Sequence, residues 1–195
     1  QHQYSYHNGL LIEALSEAYR ALNDESLLQR AQKAARWIHQ ERRLWRGGYR
    51  HDQVDQAGPY LGDTLAMGRA FLSLYRATGD QQWQQRALQS AQFIAEEFHH
   101  TAGGLITAKL NGTPLTPLPK MDENLSAARF VLGLANSLSA DQKPQRQSLK
   151  ASAEHILRYL VTPEVALSRL TEAALIMADD EYQILLKMME NQRER

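Results

Sequence analysis

The sequence predicts an all-α chain whose helices form an inner and an outer layer. Three observations carry that prediction: helical periodicity with almost no strand pattern, an internal repeat, and an alternation of apolar character between successive helices. Apolar residues recur at helical spacing near 9–22, 25–41, 63–77, 81–99, 124–138, 145–161 and 163–178, with a helical or frayed tail over 181–195. "EAYRALNDESLLQRAQKAARWI" (17–38) aligns without a gap on "SLYRATGDQQWQQRALQSAQFI" (73–94) at an offset of 56. Tyr19, Arg20, Asp24 and Arg30 fall on Tyr75, Arg76, Asp80 and Arg86. Ala31, Ala35, Trp37 and Ile38 fall on Ala87, Ala91, Phe93 and Ile94. A weaker third copy near an offset of 62 sets Asp141, Ala153 and Ile156 under Asp80, Ala91 and Ile94. The repeated unit is a helical hairpin followed by a long return loop.

Taken in order, the first helix follows "YHNG" (6–9), where Asn8 is a candidate cap. The second, 25–41, carries one stripe of Leu27, Leu28, Ala31, Ala34, Ala35 and Ile38, which implies one buried and one wet face. The third, 63–77, is apolar nearly all round, through Leu65, Ala66, Met67, Ala70, Phe71, Leu72, Leu74 and Tyr75. Such a helix is covered on several sides. The fourth, 81–99, returns to a single stripe of Trp83, Ala87, Ala91, Ile94 and Phe98. The fifth, 124–138, is again apolar all round, from Leu125 to Ala135. The next starts near residue 145, and the seventh begins at "TPE", with Thr162 as cap and Pro163 in the first turn. Trp37, Trp83 and Phe93 recur with the repeat and are expected to be core or packing residues. Odd helices therefore lie inside and even helices outside. The pattern is a partial (α/α) toroid of about three hairpins plus a seventh helix, with residues 1–180 as its domain and 181–195 as a tail.

The odd-to-even turns are tight, whereas the returns over 42–62 and 101–123 are long. Long loops inside a compact domain tend to carry function. "GGLITAKL" is expected to form a small hairpin, with "GGYRHD" as an edge. Both long loops share an end with the N-termini of the inner helices. That end gathers His7 and Asn8, then Tyr60 and Asp63, then Asp122, Glu123 and Asn124. The loops add Trp45, Tyr49, Arg50, His51 and Lys120. Carboxylates, aromatics and a few cations around a concavity suit a sugar-like or other polar ligand. Paired carboxylates, here Asp63 and Glu123, suit acid–base work. The simpler reading of Asp63 and Asn124 is helix capping, since both are good N-cap residues.

Composition narrows the remaining classes. The chain has 195 residues, 43% of them hydrophobic, with 22 basic and 22 acidic side chains and no cysteine. Zero net charge argues against nucleic acid or an anionic membrane as partner. Without cysteine there is no disulfide, thiol catalyst or Cys-based zinc site in these residues. No phosphate-binding glycine loop, nucleophile elbow or zinc motif is present, so no cofactor is expected. No apolar run approaches a membrane span, and a soluble protein of cytoplasm or periplasm is expected.

"NGLLIEAL", "GPYLGDTLAMGRAFLSLYRATGD", "DENLSAARF" and "YLVTPEVALSRL" together resemble the C-terminal helical region of the DUF255 family, also called the YyaL or spermatogenesis-associated protein 20 family. The resemblance covers roughly residues 8–180. It implies an α/α toroid related to six-hairpin glycosidases and N-acylglucosamine 2-epimerases, joined in the family to a thioredoxin-like domain. Asn8-Gly9, Gly62-Asp63 and Glu123-Asn124 are the positions that match the family's inner-helix starts. The chain departs from it in having His7 where many members have Trp, and in lacking the thioredoxin-like part. The resemblance further implies that the rest of a six-hairpin ring precedes residue 1, as in the C-terminal part of a longer protein, or that the chain is an open arc. Two functions follow as expectations. One is a toroid that binds a carbohydrate-like or polar metabolite, catalytically or not. The other is a helical module that docks a thioredoxin-like domain, a partner protein or a second copy of itself.

Overall fold

The computed structural model describes residues 3–54, 58–109, 116–169 and 172–191. They fall into two compact units, Gln1–Phe98 with Thr107–Pro117, and His99–Ile106 with Leu118–Arg195. The first holds α1 (Ser5–Leu22), α2 (Glu25–Arg42), α3 (Leu61–Thr78) and α4 (Gln81–Glu97). The second holds α5 (Met121–Asn136), α6 (Lys143–Leu160), the short α7 (Pro163–Ala166) and α8 (Ala173–Asn191). No strand forms among the described residues. The two long loops meet through the isolated bridge of Tyr60 with Ala108 and the N–H groups of Leu61 and Lys109, which donate to Thr107 O and Pro59 O. The bridges of Arg43 with Tyr49, His99 with Leu105 and Ile106 with Pro119 are local to one loop. The expected "GGLITAKL" hairpin is thus absent over 103–109, and its last residue, 110, lies outside the described residues. Gly103 and Gly104, at φ 124 and 78, turn the chain out of the extended conformation that a hairpin arm needs.

In the first unit α1 packs on α3, α2 on α1, and α4 on α3. The outer helices start as the repeat predicts: Asp24 accepts the Ser26 N–H and Asp80 the Gln82 N–H, both at 2.9 Å. The inner helices end in left-handed caps at Asn23 and Gly79, whose N–H groups return to Tyr19 and Tyr75 carbonyls. This closes each hairpin in two residues. Helix α3 is buried on nearly every side, as its sequence requires. Helix α1 is not: Gly9, Ile12 and Ser16 face α3, while Leu10 and Leu11 are exposed. Gly9 sets how closely these helices approach, because a Cβ there would stand 2.6 Å from the Ala66 backbone carbon. Backbone cannot yield at that distance, so a larger residue would force the helices apart.

The unit's core joins Tyr49, Phe71 and Trp83, with Phe71 and Trp83 stacked at 5.9 Å. Trp83 and Phe93 are buried, but Trp37 is not. It stands 38% exposed on the wet side of α2, with the Arg42 guanidinium 5.0 Å from its ring. Its repeat partner Phe93 is buried because Gly48 of the return loop closes on that ring, a contact α2 does not receive.

In the second unit α5 is enclosed like α3, and α6 and α8 both pack on it. The third repeat copy keeps the stripe, with Ala153 and Ile156 buried, but not the cap. Gln142 occupies the N-cap of α6 without a side-chain capping bond, one residue after Asp141. The expected helix 163–178 is broken. It runs as α7, a 3-10 turn at Leu167–Arg169, and then α8 from Ala173, with 170–171 outside the described residues. Two local bonds explain the break. Thr162 and Ser168 donate their hydroxyls to the Tyr159 and Val165 carbonyls, and α7 buries nothing that would reward a longer helix. Thr162 does hold the N-cap position, but its side chain makes no capping bond. Helix α8 is anchored through 181–182. Glu181 pairs with Arg129 at 3.2 Å, and the Tyr182 hydroxyl donates to Glu154 at 2.6 Å. Residues 192–195 of the expected tail lie outside the described residues.

Candidate functional site

The capping readings fail at all three inner helices, and the failure defines the site. Helix α3 starts after Tyr60, so Asp63 is its third residue, not its cap. Its carboxylate instead accepts the N–H of Tyr6, at 2.9 Å, in the first turn of α1. Asp63 thus caps the neighbouring helix, satisfying a donor that α1 cannot pair itself and meeting the positive end of its dipole. Asn124 is the fourth residue of α5, not its N-cap. Its side chain donates to Leu105 O (2.9 Å) and Lys120 O (2.9 Å) and accepts from Leu105 N (2.7 Å). Asn8, the fourth residue of α1, donates to the Tyr4 carbonyl. The three inner helices therefore share a register. Their third residues are His7, Asp63 and Glu123, and their fourth are Asn8, Thr64 and Asn124. Thr64, which the sequence reading passed over, accepts the Tyr49 N–H at 3.1 Å. In α3 and α5 the fourth residue ties down a return loop, and the third carries a carboxylate.

In the first unit the functional groups meet at the heads of α1 and α3. His51 Nδ1 lies 3.0 Å from both Asp63 oxygens. A carboxylate only accepts, so Nδ1 carries the hydrogen. Asp63 is 2% exposed and the His51 side chain 39%, so the pair presents the imidazole outward and keeps the carboxylate behind it. Tyr4 stacks on His51 at 4.5 Å and Tyr60 meets it edge-on at 5.9 Å. His7 stands 5.7 Å from Tyr4. Loop backbone locks the arrangement: Ser5 donates its N–H to His51 O and its hydroxyl to Arg50 O. The Arg50 guanidinium reaches the carbonyls of Gln53 and Glu41 at 3.4 Å. Trp45 stands apart from this cluster, 66% exposed, with Arg46 stacked 4.3 Å from its ring.

In the second unit Asp122 pairs with Arg169 at the surface. Glu123, beside it, has its carboxyl raised above the usual carboxylate range, first by burial and then by Asp122, while Lys120 opposes the shift. Its Oε2 is buried without a hydrogen-bond partner. Asn124 holds Leu105 in the loop whose Gly104 closes on Tyr159.

A second titratable group lies under the return loop. His39 Nδ1 stands 2.7 Å from the Tyr49 hydroxyl, and Arg43 reaches Nε2 at 3.4 Å. Burial, then Arg86 and Arg43, lower its pKa from 6.5 to about 4. Between those values the unfolded chain takes up a proton that the folded chain refuses. Stability is therefore full above pH 6.5 and falls as pH drops toward 4. A shift of this size corresponds to about 3 kcal/mol, which solvent at the half-buried ring reduces to about 1–2 kcal/mol. Urea melts at pH 7.5 and 4.5 are expected to differ by that much more in the wild type than in His39→Gln. An equal acid loss in both would count against the assignment.

Among the described residues no helix is long and apolar enough to cross a membrane. A family model for Glycosyl Hydrolase Family 88 matches residues 1–113, more than half of the chain. No curated protein matches. Several solved structures share the fold. A sugar epimerase from a ruminal bacterium is 18% identical with a TM-score of 0.68, over 80% of this chain and 43% of that one. The cellobiose 2-epimerase of Spirochaeta thermophila is 16% identical with a TM-score of 0.65, over 83% and 43%. A glycosyl hydrolase family 88 protein of Bacteroides vulgatus is 15% identical with a TM-score of 0.65, over 82% and 49%. The chain spans less than half the length of these structures. At such identities the likeness establishes fold alone, and the fold is the predicted partial (α/α) toroid. With the family model covering residues 1–113, the chain belongs to glycosyl hydrolase family 88.

Proposed function

We propose that the chain binds and hydrolyses a glycoside at the heads of α1 and α3, with His51 as acid–base group and Asp63 as the carboxylate that orients it. One observation carries the reading: a buried carboxylate holds an accessible imidazole by Nδ1, inside an aromatic cluster of Tyr4 and Tyr60. Asp63 stabilises the imidazolium that forms when His51 takes a proton from water or a sugar hydroxyl. The aromatic rings supply flat apolar surface for the C–H face of a sugar, and His7 supplies a polar edge. Membership of a glycosyl hydrolase family supports hydrolysis over epimerisation. Glu123 is proposed separately as an acid–base group, its pKa raised by burial and its Oε2 unpartnered. The full chain is to be assayed against a panel of neutral and acidic aryl glycosides. Turnover of at least one is expected, reduced about a hundredfold or more in His51→Ala. No turnover or binding of any panel member would overturn the proposal, as would unchanged turnover in the variant.

A second reading, docking of a partner such as the thioredoxin-like domain of the DUF255 family, draws on exposed Leu10 and Leu11 of α1 and Ile176, Met177 and Ile184 of α8. Light scattering across concentrations tests its self-association form, and a monomer throughout would remove it.

A further inference from the structure

Trp45, Arg43 and Arg46 are not absorbed by the site above; the two arginines line a concavity of the first unit, and exposed Trp45 stands beside Arg46. A cleft of about 510 Å³ lies between the end of α2, the turn Trp45–Gly47 and α4. Arg43, Arg46, Gly47, Gln89, Gln92 and Glu96 line it. Its floor is fixed by close backbone approach. A Cβ on Gly47 would stand 2.6 Å from Gln89 Cβ, and Ser90 donates its hydroxyl to Gly47 O at 3.2 Å. That clamp holds Arg46 at φ 63, a left-handed conformation that a non-glycine residue adopts only when its surroundings impose it. The result is a stiff turn that stands an indole on the rim.

The polar groups are unequally matched. Arg46 lies between the Trp45 ring, 4.3 Å away, and the Glu96 carboxylate, 3.4 Å away. Gln92 donates to the other Glu96 oxygen at 2.8 Å. Glu96 therefore balances Arg46. Arg43 has no carboxylate of this kind; its guanidinium reaches only the neutral His39 ring. Of the charged groups that line the cleft, two arginines face one glutamate. The cleft thus combines an exposed aromatic face, amide side chains at hydroxyl-bonding positions and a surplus of positive charge. A neutral sugar would use the first two features, and the third selects a saccharide bearing an acidic group.

We propose that this cleft is a second, non-catalytic binding site for an acidic oligosaccharide. Trp45 stacks on a sugar ring, Gln89 and Gln92 bind hydroxyls, and Arg43 takes the carboxylate or sulfate group. The site is separate from His51 and Asp63 and does not depend on their role. It would hold a charged chain on the outer face of the toroid.

The test is titration calorimetry of the full chain with an oligogalacturonide trimer, maltotriose and sodium sulfate, in wild type, Trp45→Ala, Arg43→Gln and His51→Ala. Trp45 and Arg43 are exposed, and thermal melts check that the variants fold. The trimer is expected to bind more tightly than either maltotriose or sulfate. Its affinity should fall about tenfold or more in Trp45→Ala. Arg43→Gln should bring trimer and maltotriose to similar affinity, and His51→Ala should leave trimer binding unchanged. Several results would overturn the proposal: no trimer binding, sulfate binding as tightly as trimer, no preference over maltotriose, or full affinity in Trp45→Ala. Loss of the trimer in His51→Ala alone would assign its binding to the other site and also overturn it. Failure of the aryl-glycoside assay with this result intact would remove the catalytic reading and leave this one standing.

Discussion

Asp63→Asn is expected to leave the chain folded and to lower glycoside turnover by about 10²–10⁴. An asparagine keeps an oxygen that can accept the Tyr6 N–H, the bond that Asp63 now makes at 2.9 Å. Its amide nitrogen, however, points a donor where the carboxylate offered an acceptor to His51 Nδ1. The imidazole must then flip its tautomer or turn away, and it loses the charge that steadies its protonated form. The readout is kcat against pH for wild type and variant on whichever glycoside of the panel is turned over. A structural role alone would lower the melting temperature and leave the pH profile in place. Retention of more than a third of the wild-type kcat would sink the assignment of Asp63 as the orienting group.

Asn124→Ala should be the most damaging single change to the second unit. Asn124 is fully buried and makes three hydrogen bonds, to both backbone groups of Leu105 and to Lys120 O. Truncation leaves the Leu105 N–H and C=O without these partners and opens a small cavity. Each buried group left unpaired costs about 1–3 kcal/mol, so a total near 3–5 kcal/mol is expected. Asn124→Asp separates the contributions, because it keeps the acceptor for Leu105 N–H and loses both donors. Urea denaturation should place it between wild type and alanine. A loss below about 1 kcal/mol for Asn124→Ala would mean that water enters and replaces the side chain.

The helices and their layering were legible because they rest on periodicity, which is local. The stripe of Trp83, Ala87, Ala91 and Ile94 is buried as read, and so is nearly every apolar residue of α3 and α5. Several residues at the heads of α1 and α3 could be named from the sequence, but their bonds could not. Asp63 has the chemistry of a cap, and propensity assigned it to the nearest helix start. Its actual partner is Tyr6, 57 residues away. Only the repeat carries a trace of that pairing, since the offset of 56 lays His7 on Asp63 and Asn8 on Thr64. Thr64 was overlooked because a threonine at the head of an apolar helix looks ordinary until a loop N–H is brought to it. Trp37, read as core or packing, packs on Arg42 at the surface, whereas its counterpart Phe93 lies under Gly48, and the repeat alone does not tell the two apart. The break between α7 and α8 turned on two hydroxyls bonding backward to carbonyls, a competition that hydrophobic spacing does not register.

Because one carboxylate both seats the amide of Tyr6 and orients His51, occupancy at the imidazole and docking of the first helix are thermodynamically linked. A sugar that draws His51 and Asp63 into closer contact must also slow the opening of the α1 terminus. The exchange rate of the Tyr6 amide with deuterium therefore becomes a spectator of ligand binding. It can be followed without turnover, and so tests the proposed sugar binding apart from hydrolysis.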